Sequence, residues 1–111
     1  MTVKKLMAIP GFEIINLGDE NREISGVYCC DLLSFVMGKA FVGCAWITVM
    51  GNINSIAVAT LTDTGCIILA DNVTLDEAAM QKAKQHNVAV LKSDMPVFET
   101  ALAVHSAIKN A

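Results

Sequence analysis

The chain has 111 residues, of which 54% are apolar and 17% charged, and a net charge of −3. That length predicts one domain with a core that needs no disulfide or metal staple, and an acidic balance with no basic cluster beyond Lys4-Lys5 speaks against nucleic-acid binding. Charged residues usually make up about a quarter of a globular chain, so part of this surface is expected to be covered by a partner or a second copy.

Residues 2–9 predict a short amphipathic helix, with Val3, Leu6 and Met7 on one side and Lys4 and Lys5 on the other, ended by Pro10-Gly11. Its apolar run is too short for a signal peptide, and no apolar stretch is long enough to span a membrane. A soluble cytoplasmic protein is the expectation. Strands follow over 12–17, stopped by the turn at Gly18-Asp19, and over 23–28, where Gly26 allows close approach of another backbone. Asp31 is the expected N-cap of a helix over 32–40, with Leu32, Phe35, Val36 and Ala40 sharing a face.

Residues 44–50 and 66–70 are nearly unbroken apolar runs, the pattern of parallel strands buried on both faces. Between them 52–61 reads as a mostly apolar helix closed by Asp63-Thr64-Gly65, a connection of about sixteen residues, too long for a hairpin. A right-handed βαβ unit is the economical reading. Thr74 and Glu77 form a capping box for a helix to His86, which Asn87 ends. A third apolar strand covers 88–91. Asp94 is read as the cap of the last helix, with Pro96 in its first turn and Val97, Phe98, Ala101, Leu102, His105 and Ile108 as its stripe, so that His105 packs near the core. The expected fold is α/β: one domain over 1–111, a three-layer α/β/α sandwich with a largely parallel sheet. From residue 44 the order is β-α-β-α-β-α, and the first forty residues add edge strands.

Ligands of open parallel sheets bind just past the carboxyl ends of the strands. There the sequence places Asn52, Asn54, Ser55, Asp71 and Asn72, with free amides near Asn52 suited to an anionic group. No Walker loop, dinucleotide fingerprint or paired-carboxylate motif is present. The spacings of Cys29, Cys30, Cys44 and Cys66 match no zinc pattern. Cys44 and Cys66 read as small core hydrophobes, while Cys29 or Cys30 is the residue for a redox or iron–sulfur role if there is one.

Over residues 12–105 the chain resembles a stand-alone DRTGG domain. The resemblance rests on Asn21-Arg22-Glu23-Ile24-Ser25-Gly26, Cys30-Asp31-Leu32-Leu33-Ser34, Ala45-Trp46-Ile47-Thr48, Asn54-Ser55-Ile56-Ala57-Val58-Ala59, Ile67-Ile68-Leu69, and Ala83 followed by Val88-Ala89-Val90-Leu91. Asn21 stands where the family usually has Asp, and Val27 where a second Gly is common. The resemblance implies an α/β sandwich similar to the N-terminal domain of HPr kinase. It also implies a regulatory or dimerising module, of the kind that accompanies adenine-nucleotide regulation in CBS-containing pyrophosphatases. The kinase domain itself has no counterpart here.

The expected function is a non-catalytic, homodimeric regulatory or assembly module, with no metal or cofactor, that binds an adenine nucleotide or similar anion or a protein partner. Arg22 and Asp31 are candidates for the interface or a second site. The alternative is a small redox accessory protein or enzyme using Cys29 or Cys30.

Overall fold

The computed structural model describes residues 1–110. In chain order it contains α1 (Val3–Leu6), β1 (Phe12–Asn16), β2 (Gly26–Cys29), α2 (Leu33–Lys39), β3 (Cys44–Thr48), α3 (Ile53–Thr62), β4 (Cys66–Leu69), α4 (Glu77–Gln85), β5 (Val90–Ser93) and α5 (Val97–Lys109). The two apolar runs become β3 and β4, buried at every position and paired in parallel from Ala45 opposite Cys66 to Thr48 opposite Leu69. The sheet order is β1-β5-β4-β3-β2. Strands β2 to β5 are parallel, and β1 lies antiparallel on β5 with a bulge between Ile14 and Asn16. The first forty residues do supply edge strands, one on each side of the sheet.

Helices α2, α3 and α4 cover one face. Val36, Ile56, Ala59, Ala79 and Ala83 pack there on Trp46, Ile67, Leu69 and Val90. Val3 and Leu6 of α1 and Val104 of α5 cover Ala45, Ile47, Ile68 and Leu91 on the other. This is the three-layer sandwich with a largely parallel sheet that the sequence predicts. Each crossover from β2 to β5 steps one strand in the same direction, so neighbouring loops never diverge there as they do at a topological switch point.

Several caps differ from expectation. Asp31 does not cap α2; Leu32 holds that position without a side-chain bond. The Asp31 carboxylate instead accepts from the Thr48 hydroxyl at 2.7 Å and the Val49 amide at 3.0 Å, tying β2 to the end of β3. The Thr74–Glu77 box does not form. Residues 73–76 form no helix or strand and lie against the β3–α3 loop, the Asp76 amide donates to Gly51 O, and Asp76 caps α4 by accepting from the Ala79 amide at 2.8 Å. Strand β5 starts two residues late because Val88 still belongs to the closing turn of α4, its amide donating to Ala83 O. Asp94 does not cap α5. Its amide donates to Gly11 O, and Pro96 takes the cap position.

Two helix stripes are also rotated. The inward residues of α5 are Val97, Thr100, Ala101, Val104 and Ile108, leaving Phe98, Leu102 and His105 exposed. His105 is therefore a surface residue. In α2 the inward set is Leu33, Val36 and Ala40, and Leu32 and Phe35 face outward.

Candidate ligand-binding site

The carboxyl ends of β3, β4 and β5 bring Asn52, Asn54, Asp71 and Asn72 to one rim. Asn52 caps α3, its Oδ1 accepting from the amides of Asn54 at 3.0 Å and Ser55 at 3.2 Å. Ser55 is buried and its hydroxyl donates to Met50 O at 2.6 Å, so it holds the loop and does not face solvent. Asn54, Asp71 and Asn72 are exposed.

Asp71 and Asn72 adopt left-handed backbone angles (φ 54° and 58°), which Asp and Asn tolerate better than most residues. The conformation lets both amides turn sideways: Asp71 N–H reaches Met95 O and Asn72 N–H reaches Ser93 O, each at 2.8 Å. The β4–α4 loop is thereby fastened to the β5–α5 loop on one side and, through Asp76 and Gly51, to the β3–α3 loop on the other. The rim is a continuous row of fastened loops with polar side chains on its outer surface. Three helices of nine or more residues begin at this end, and α5 alone among them lacks a side-chain cap.

The opposite end of the sheet holds a cleft of about 280 Å³ that the sequence reading missed, lined by Asp19, Arg22, Asp63, Thr64, His86 and Asn87 among others. Arg22 spans the end of α3, with Nη1 3.0 Å from Asp63 Oδ1 and Nη2 3.0 Å from Asp63 O. Asp63 and Asn87 are left-handed residues just past α3 and α4. The signal was present as Asp63-Thr64-Gly65 and Asn87, read only as turns. Arg22 and Asp31, paired as candidates, lie beyond opposite ends of β2.

Helix polarity separates the two ends. Helix N-termini favour anions and C-termini favour cations. The rim collects the N-termini of α3, α4 and α5, whereas the cleft receives the C-termini of α3 and α4 beside Asp19 and Asp63. Arg22, the guanidinium in the cleft, is already paired with Asp63. The helix-end field therefore favours an anion at the rim and a cation in the cleft.

Among the described residues, no cluster of three His, Cys, Asp or Glu side chains could hold a metal, and no helix is long and apolar enough to cross a membrane. Cys44 and Cys66 are buried at the starts of β3 and β4. Cys29 is exposed on β2, but its thiol is raised above the ordinary value by partial desolvation, then by the Asp31 carboxylate and Cys30. A raised thiol holds less nucleophilic thiolate near neutral pH, which counts against a redox role. Cys29 should alkylate more slowly than free cysteine at neutral pH, and Asp31→Asn should speed it. A rate above that of free cysteine would favour the redox reading.

No family model and no curated protein matches the chain. A solved structure does match: the CBS and DRTGG domains of the regulatory region of Clostridium perfringens pyrophosphatase, complexed with the activator diadenosine tetraphosphate. The TM-score is 0.76 at 16% identity, over 95% of this chain and 46% of that one. The protein thus spans about half the length of the structure it resembles. At that identity the likeness is one of fold, and it supports a DRTGG-like fold here.

Proposed function

We propose that the chain is a non-catalytic regulatory or assembly module that forms a homodimer and binds an adenine nucleotide or a similar anionic metabolite. The observation that carries this reading is the likeness in fold to a regulatory region whose structure contains an adenine dinucleotide activator. The ligand's place is the carboxyl rim, where Asn52 and Asn54 stand at the start of α3 and Asp71 and Asn72 adjoin the uncapped start of α5. Ser55 supports the rim from beneath through its bond to Met50 O. Asp71 suits a ribose hydroxyl or an amine and repels a bare phosphate, so a nucleoside-bearing ligand fits better than phosphate alone. None of these rim residues is cationic. The amides expected to be free near Asn52, those of Asn54 and Ser55, are already held by the Asn52 cap. Carboxamides and the backbone amides at the uncapped start of α5 therefore do the recognising, and affinity should depend only weakly on salt.

Thermal shift with diadenosine tetraphosphate, ATP, ADP and AMP tests the reading. A ligand at a hundred times its dissociation constant adds about 2.7 kcal/mol, a rise of several degrees in a domain this size. Asn54→Ala should cut the shift, because Asn54 is exposed on the rim and leaves the Asn52 cap intact. No shift at millimolar ligand would leave assembly with a protein partner as the better account. A shift undiminished by Asn54→Ala would move the site elsewhere.

A further inference from the structure

The two edges of the sheet are built differently. Strand β1 carries Glu13, ion-paired to Lys92 at 3.5 Å, and a bulge, both devices that discourage another strand from adding. Strand β2 reads Gly-Val-Tyr-Cys, with no charge and no bulge in its pairing with β3. It is the unprotected edge.

Exposed apolar side chains flank that edge on both faces. Below the sheet, Val27 forms an apolar groove of about 250 Å³ with Phe98, Ala101, Leu102 and His105 of α5. Phe98 is 70% exposed and Leu102 50%. Above it, α2 packs on α3 along one side and leaves Leu32 and Phe35 exposed at 58% and 57%. Phe41 lies against Gly26 on the same face and is 41% exposed. The three phenylalanines alone leave roughly 300 Å² open, at the scale of a functional apolar patch.

We infer that this edge, with the α5 groove below and α2 above, is where a second copy of the chain docks, β2 pairing antiparallel with its mate across a two-fold axis. The inference rests on the homodimer reading above and names its surface. The occupant follows from the chemistry. A two-fold axis sets each patch against itself, which like charges would oppose; no Asp, Glu, Lys or Arg stands on β2 or in the groove, where His105 is the one ionisable side chain. A strand edge also pairs with an identical edge without any complementary sequence, satisfying backbone groups that would otherwise need water. A standard interface covers about 800 Å² per partner, roughly a seventh of the chain's 5594 Å² surface. The three phenylalanines supply more than a third of that, roughly 300 Å², before the strand edge, Leu32 and Leu102 are counted.

Sedimentation of the full chain and of Phe98→Asp, Leu102→Glu and the distant Leu61→Glu tests this. The wild type and Leu61→Glu should dimerise alike, and each groove variant should weaken the dimer at least about 30-fold, as central apolar anchors do. Hydrogen exchange on the wild type gives a second readout: the β2 amides should slow as concentration rises, whatever the variants do to folding. A wild-type dimer unaffected by both variants, with β2 exchange independent of concentration, overturns the surface assignment and leaves the dimer reading standing. A wild-type monomer at all concentrations overturns both.

Discussion

Trp46→Ala should lower stability by about 3–5 kcal/mol, the range for emptying a large aromatic site in a core. Trp46 is fully buried in the middle of β3 and packs in the cluster formed by Val36, Ile56, Ile67 and Val90. Its Nε1–H donates to Cys30 O at 2.8 Å, so truncation also strips that carbonyl of its partner. Each kcal/mol moves the melting temperature of a domain near this size by roughly 4–8 °C, so the midpoint should fall by about 15 °C or more. Because whole domains are stable by only about 5–15 kcal/mol, the variant should be largely unfolded at moderate urea. A loss under about 1 kcal/mol would mean that Trp46 does not organise the core.

Gly51→Ala should also destabilise, by less than Trp46→Ala, and it connects the fold to the rim. A Cβ there would stand 2.5 Å from Thr74 O, a backbone atom with little freedom to retreat. The loops at this contact are also held by the Asp76 amide on Gly51 O at 3.2 Å. Overpacking of this kind costs about 1–3 kcal/mol. The displaced segment is continuous with Asp71-Asn72, so adenine-nucleotide affinity should fall with stability. Gly38→Ala is the control. Nothing lies within 4 Å of its Cβ position, inside α2, so alanine should be neutral or stabilise by about 0.5–1 kcal/mol. Denaturant midpoints for the pair decide it, and equal midpoints would contradict the tight loop contact.

The parallel core was readable because residues 44–50 and 66–70 are short apolar runs without alternation, rich in β-branched residues and bounded by turns, as strands buried on both faces are. The two N-terminal strands were readable as edges from their position and mixed pattern. Which edge each would take depends on sheet order, which no local pattern carries. The caps misled for a consistent reason. Asp31, Thr74 and Asp94 have the right chemistry to cap a helix, but a side chain or backbone from another element held each segment first. The α5 stripe was misjudged because two apolar lines, through Val97 and through Phe98, run side by side on the helix. Burial alone tells the core line from the exposed one. The rim residues were chosen for lying past strand ends. Ser55 shows the limit of that reasoning, since the same position can point a hydroxyl inward.

The most direct test is a backbone-amide NMR titration of the full chain with diadenosine tetraphosphate. Binding at the rim should move the amides of Asn54, Asp71, Asn72 and Phe98 most, and leave Asp63, Thr64, His86 and Asn87 at the far end of the sheet unmoved. Shifts confined to that second group would place the ligand in the amino-end cleft, against the polarity of α3 and α4, and would contradict the site proposed here.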